Sequence, residues 1–433
     1  MNLTTDAISN PDPYYIKSVT EFSESKEVVS SADIYSSTNI KLVAKGTRID
    51  RSFYDKLSKH KLTASPIDRC LSVRGAVTPH DLALDAARLL DKEPQLARMA
   101  NALPDKLLLQ NGLSQIYLND TLAFKLTLAR ENRPALYQHS IRIALISLYL
   151  GTCLNLDRKS MNTLATAAVF HDLGELHIDP APLDGAQALS PKERQHIYAH
   201  PMISYLILKE FPEYHPHISM AVLDHHERLD GSGYPRNLKE DKINPLGQIL
   251  AVAEVVGSLC GRGDGDACAH VEVALKLNSG QFRSDLVGYL SAIARQGKSP
   301  LTPGAGEGVD LAWIRARLEN IAKILADWDQ AYAPFRENKP PEYLAYVHTR
   351  LISLKTGLFD AGFNPDGQDT LTSGIEKDPG SLAELGLLVR ETGWQIKDII
   401  YEIRRRWPEI EQASAPAALT LKTWASQAEQ MLV

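Results

Sequence analysis

Six side chains able to bind a metal fall within one stretch of the 433-residue chain: His139, His171, Asp172, His200, His225 and His226. Two of them are adjacent, at the start of HHERLDGSGYP (225–235). Neighbouring imidazoles leave any regular backbone in different directions, so they pack poorly together but can reach two nearby ions. His171-Asp172 follows the apolar run LATAAVF and precedes Leu-Gly, which places both side chains where a helix ends. Histidine nitrogens with a carboxylate suit borderline divalent ions such as iron, manganese, nickel or zinc, and leave positions open to water. Two such ions about 3.5–4 Å apart, sharing a carboxylate, suit in-line displacement at phosphorus. Taken singly, each residue has a plainer use. A lone His139 on an apolar helix is more often a hydrogen-bonded core residue, and His200 before Pro201 can simply mark a helix boundary. His177, His196, His215 and His217 show that histidine is used freely here. The combination favours a metal site.

These residues need rigid elements to hold them. The segment YQHSIRIALISLYL (137–150) is apolar on most sides and should be a central helix. Thr78-Pro79-His80-Asp81 combines a capping residue, a proline at the first helical position and an acid at the capping-box position, and so starts a helix. Residues 1–28 are polar, with Asn-Pro and Asp-Pro breaks, and read as a loose leader. Asp33 to Ile49 has two short β-rich runs around Ser-Ser-Thr-Asn and reads as a hairpin, followed by a helix capped by Asp50. A Pro/Gly-rich stretch over 301–312 marks a linker. Beyond it, helical spacing over 311–333, 341–359, 381–406 and 416–432 predicts a bundle, with Arg404-Arg405-Arg406 as a solvated helix end. The fold expected is mainly α, with a small β-hairpin-containing N-terminal domain (29–77), connecting helices (78–130), a central domain (131–300) and a C-terminal helical domain (311–433).

The bulk composition excludes several classes. A net charge of −6 lacks the basic excess of a general nucleic-acid binder. Cys70, Cys153, Cys260 and Cys268 form no CxxC pair, which fits a reducing compartment without disulfides. No segment approaches the roughly 20 continuous apolar residues of a membrane span, and no signal peptide is visible. The expected location is cytoplasmic.

The order HDLG (171–174), HP (200–201), HHERLDGSGYP (225–235) and ILAVAE (249–254) resembles the HD-GYP branch of the HD-domain metal-dependent phosphohydrolases. The resemblance covers about residues 131–295. It implies an all-helical core and hydrolysis of the bacterial second messenger cyclic di-GMP to pGpG or GMP. It also implies two divalent ions, iron or manganese first and nickel or zinc as alternatives, held by His139, His171, Asp172, His200, His225 and His226. His171 and Asp172 form the signature pair, and Glu254 stands where the family has a ligating aspartate. Substrate contacts are expected from Arg228, Gly233, Tyr234, Pro235, Arg236 and a displaced Arg262, and the Gly231–Pro235 loop also implies a signalling-protein partner. A homodimer is a further expectation, and no nucleic-acid partner or membrane span is expected. The chain departs from the pattern at Glu175, where the family has a phosphate-contacting lysine, and at Gly257, where it has an aspartate. Ala135 stands where some members have a glutamate for a third ion. These departures keep a second reading open, a module that binds metal or nucleotide and signals through protein contacts.

Overall fold

The computed structural model describes residues 13–36, 38–54, 70–181, 190–261, 267–296, 311–337, 339–363 and 379–432. The chain divides into two compact units, Met1–Gly257 and Ser258–Val433. The linker read at 301–312 lies, up to residue 310, outside the described residues, as do most of the helix expected after Asp50 and the whole of Arg262.

The first unit opens with α1 (Pro13–Phe22), in which Tyr15, Ile16, Val19 and Phe22 are buried. This corrects the expectation of a loose leader from residue 13 onward; residues 1–12 lie outside the described residues. The apolar residues recur every three or four positions and bury one face, which the polar flanks disguised. Five short strands follow: β1 (Val28–Ser30), β2 (Ile34–Tyr35), β3 (Lys41–Val43), β4 (Arg48–Ile49) and β5 (Leu71–Val73). β2 and β3 form the expected hairpin, while β1 pairs antiparallel with both β4 and β5. β5 is too short for alternation to reveal it in the sequence.

Helices α2 (Pro79–Lys92), α3 (Pro94–Asn101), α4 (Leu108–Ser114) and α5 (Asp120–Asn132) lead to α6 (Pro134–Cys153). The capping box of α2 forms as its spacing predicts: the Thr78 hydroxyl accepts from the Asp81 N–H at 3.2 Å and Asp81 accepts from the Thr78 N–H at 2.8 Å. Every residue of α6 from Ser140 to Gly151 is buried, so this helix is the axis of the unit. Its one buried cation, Arg142, donates twice to Glu93 at the start of α3, at 2.8 and 2.7 Å. Around α6 lie α7 (Arg158–Phe170), a 3₁₀ turn (Leu173–His177), α8 (Pro191–Ile197), α9 (His200–Lys209), α10 (Pro216–Asp224) and α11 (Pro245–Gly261).

The second unit contains α12 (Ala267–Leu277), α13 (Ser284–Gln296), α14 (Leu311–Tyr332), α15 (Glu342–Asp360), α16 (Pro379–Arg406) and α17 (Pro416–Met431). The last four lie close to the helical segments read from the sequence. One apolar core joins Val273 and Leu277 of α12 to Ile314, Leu351, Ile396 and Trp424. At its centre Trp328 and Trp424 meet edge to face, 4.9 Å between centroids. The arginine run is not a solvated end: Arg405 and Arg406 both bind the buried Glu402, at 2.7 and 3.1 Å, and Arg404 binds Glu429 at 2.6 Å. The carboxylates of Glu402, Glu429 and Glu411, the last 3.3 Å from Arg404 Nε, convert the run into an ion-pair network. All four cysteines are free, and no helix among the described residues is long and apolar enough to cross a membrane.

Candidate metal centre

The apolar run of α7 ends at His171, and the chain turns through Asp172 into the 3₁₀ helix, so both side chains project from a helix end into the interior. The turn can sit here because residue 174 is glycine. A Cβ at Gly174 would lie 2.3 Å from the His200 carbonyl oxygen and 2.9 Å from Ser204 Oγ. Instead, the Gly174 N–H donates to Ser204 Oγ at 2.7 Å. His200 opens α9, His225 and His226 follow the end of α10, His139 projects from α6, and Glu254 projects from α11. Five elements thus bring together all seven residues singled out as ligands.

The seven fall into two groups that share one residue. Asp172, His200, His225 and His226 form one, and His139, His171, Asp172 and Glu254 the other; in each, one ligand atom per residue lies within 4.8 Å of the rest. Asp172 divides its oxygens between them. Oδ1 lies 3.1 Å from His200 Nε2 and 3.5 Å from His225 Nε2, while Oδ2 lies 2.9 Å from His171 Nε2 and 3.7 Å from His139 Nε2. Glu254 Oε2 lies 2.9 Å from His139 Nε2 and 3.3 Å from His171 Nε2. The extra methylene of glutamate therefore does not carry its carboxylate out of the group.

Ring orientation is set by the backbone. Nδ1 of His171, His200 and His225 lies 2.7, 2.6 and 2.6 Å from the carbonyl oxygens of Ala168, Ile197 and Val222, each three residues earlier. A carbonyl only accepts, so in each neutral ring Nδ1 carries the proton and the Nε2 lone pair faces inward. This leaves His200 Nε2 and His225 Nε2 opposed at 3.2 Å. The buried atoms His171 Nε2 and Asp172 Oδ1 make ion-pair contacts but no aligned hydrogen bond. Buried groups of this kind are normally satisfied, and a divalent cation would satisfy both lone pairs and orphans. The donor set therefore fits divalent metal binding.

The electrostatics follow from burial and neighbours. Burial opposes charge on Asp172, yet His171 and His200 hold its carboxyl well below the usual range, and His139 does the same for Glu254. Burial pushes His225 down to about 4, and burial with the neighbouring His225 lowers His226 well below its ordinary value. Both rings of the doublet are thus kept neutral, as ligation requires.

The loop after the doublet is ordered by two buried carboxylates. Glu227 accepts from the N–H of Arg236 at 2.7 Å and of Leu238 at 2.9 Å, and Asp224 accepts from the N–H of Asn244 at 2.9 Å and from the Arg236 guanidinium. Arg236, expected at the substrate, is thereby engaged with Asp224, and Arg228 Nη1 donates to the Glu227 carbonyl at 2.9 Å. Gly233 lies against backbone, where a Cβ would be 2.4 Å from Glu227 Cα. Tyr234, joined to Pro235 by a cis bond, stacks on His226 (4.5 Å, 18°) and on Tyr198 (4.0 Å, 7°). Sequence reasoning missed Asp224, Glu227 and Tyr198. The first two adjoin the doublet and could have been suspected; Tyr198 has no pattern to betray it.

The departures also acquire neighbours. Glu175, which stands where the family has a lysine, is paired with Arg133: Nη2 lies 3.2 Å from Oε2, and Nη1 donates to the Glu175 carbonyl at 2.6 Å. A Cβ at Gly257 would lie 2.4 Å from Ile143 Cδ1, so α11 packs tightly on α6 at that point.

The profile of the HD domain family matches residues 126–282. The chain is 30% identical over 139 residues to the "3'3'-cGAMP-specific phosphodiesterase 3" of Vibrio cholerae, covering 32% of this chain and 30% of that protein. It is 31% identical over 129 residues to the "Cyclic di-GMP phosphodiesterase" of Thermotoga maritima, covering 29% of this chain and 34% of that protein. The chain thus spans about a third of the length of these relatives. A solved HDG"Y"P protein from Bdellovibrio bacteriovorus, Bd1817, overlaps 62% of this chain and 95% of its own at 16% identity, with a TM-score of 0.35. Residues 126–282 thus match the HD domain family, with the signature His171-Asp172 at the centre of both ligand groups.

Proposed function

We propose that the chain is a cyclic dinucleotide phosphodiesterase of the HD-GYP type, hydrolysing cyclic di-GMP to pGpG or GMP with two divalent ions, iron or manganese. The observation that carries this reading is the division of Asp172 between two groups, one oxygen to each. His200, His225 and His226 would hold one ion, His139, His171 and Glu254 the other, with Asp172 common to both. When bound, two such ions neutralise phosphoryl charge and lower the pKa of water. The protein's own part is to keep the doublet neutral by burial, to aim Nε2 of three histidines through backbone carbonyls, and to wall one side of the site with the Tyr198–Tyr234–His226 stack. That relatives of the HD region are named for cyclic di-GMP and for 3'3'-cGAMP supports the substrate class and leaves two dinucleotides to compare.

The test is turnover of both dinucleotides by protein purified anaerobically and reconstituted with iron or manganese, with products separated by chromatography. Metal-dependent pGpG or GMP is expected, with at least a hundredfold loss in Asp172→Ala. A folded, metal-loaded protein that releases no product from either dinucleotide would instead favour the binding and signalling module, for which Gly257 and Glu175 speak.

A further inference from the structure

Arg133 precedes α6, six residues before His139, and its guanidinium reaches the residue three beyond Asp172. It donates through Nη1 to the Glu175 carbonyl at 2.6 Å and pairs through Nη2 with the Glu175 carboxylate at 3.2 Å. Both side chains are 15% exposed. Two contacts from one residue fix the plane of the fork, yet they occupy only two of its five N–H donors. Among the described residues no other protein acceptor takes up the rest. Glu175 lies in the field of the site: after burial, the influences on its carboxyl are those of Asp172, His200, Arg133 and His139.

The other arginines near the site are placed differently. Arg228 donates to the Glu227 carbonyl and Arg236 is bound to Asp224, both in the segment that follows the doublet. Arg133 joins the segments that carry His139 and His171-Asp172. It also occupies the N-cap position of the twenty-residue α6, which begins without a side-chain cap or an acid in its first turn. The positive end of that helix therefore adds to the guanidinium rather than being cancelled locally.

We propose that Arg133, held in place by Glu175, is the anion-binding residue that receives a second phosphate of the substrate, the one not being cleaved. This rests on the phosphodiesterase reading and adds to it a determinant of specificity: the site selects substrates carrying a phosphate beside the scissile one. A planar fork suits two phosphate oxygens better than a point charge does.

The experiment compares cyclic di-GMP with bis(p-nitrophenyl) phosphate, which has one phosphodiester and no second anion, in the parent, Arg133→Ala and Arg133→Lys proteins, with metal content measured in each. Loss of a charge-assisted contact should raise KM for cyclic di-GMP about ten- to a hundredfold in Arg133→Ala. In the same variant kcat and the metal content should be nearly unchanged, KM for bis(p-nitrophenyl) phosphate should not move, and Arg133→Lys should fall between. Equal effects on the two substrates, or loss of metal in both variants, would mean that Arg133 only ties α6 to the 3₁₀ turn, and an unchanged KM for cyclic di-GMP would also overturn the proposal. Titration with fluorescent cyclic di-GMP separates this idea from the activity. A parent that binds but does not cleave, with Arg133→Ala binding at least tenfold more weakly, upholds the anion site while sinking the phosphodiesterase; a parent that neither binds nor cleaves sinks both.

Discussion

At the scale of the residue, unsatisfied buried atoms are the most informative feature of this protein. His171 Nε2 and Asp172 Oδ1 lack aligned partners in a place where divalent ligation would supply them. Tyr346 is the contrasting case. Its hydroxyl is buried without a partner and lies in the second unit, apart from any ligand group, under the Arg406 guanidinium stacked on its ring at 4.5 Å. Burial pushes its phenol up to about 12 from 10.0. Because the folded value exceeds the unfolded one, the associated stability is complete below pH 10 and is lost as the pH rises through about 12. Tyr346→Phe should therefore stabilise the protein by about 1 kcal/mol at neutral pH, by removing an unsatisfied group, and should flatten the alkaline arm of the stability profile. Urea denaturation at pH 7 and at pH 11 checks both; a destabilised variant would show that the hydroxyl has a partner in solution.

At the scale of the element, the site depends on how closely helices approach. Gly174→Ala would drive a methyl into the His200 carbonyl. Overpacking of this kind costs about 1–3 kcal/mol, and here the displaced backbone carries a ligand. The expected outcome is a lower denaturation midpoint together with weaker metal retention on dialysis; wild-type retention would mean that α9 yields without moving His200. The Arg142–Glu93 pair tests the axis of the unit. Glu93→Ala leaves a buried guanidinium unpaired on α6 and should destabilise by about 3–5 kcal/mol, whereas a double variant with Arg142→Met should recover most of the loss. Thermal melts of the three variants decide it.

At the scale of the whole molecule, the seven candidate ligands belong to the first unit, Met1–Gly257, and the second has its own apolar core built around Trp328 and Trp424. A ligand that binds only the folded state stabilises it by about 2.7 kcal/mol at a hundred times its dissociation constant. Manganese should therefore slow hydrogen exchange in α6, α7 and α9–α11 and leave α14–α17 unchanged, and Asp172→Ala should abolish the difference. Protection spread evenly over both units would contradict the placement of the binding energy in the first.

The candidate ligands were legible in the sequence because metal chemistry restricts the residue types and helix ends restrict their spacing. The apolar period of 137–150 and the capping box at Thr78 were legible for the same reason: they are local patterns. Helix α1 was hidden by its polar flanks, and β5 by its shortness. Pairings between distant positions carry no local pattern. Arg133 lies 42 positions from Glu175, Tyr198 lies 36 from Tyr234, and Glu402 accepts two arginines that looked solvated. The chain alone determined which atoms could bind a metal and which helices could carry them. Only the tertiary structure decided that Asp172 turns one oxygen to each group and that the anion at 175 is matched by a cation, because such relations depend on where helices remote in sequence come to lie against each other.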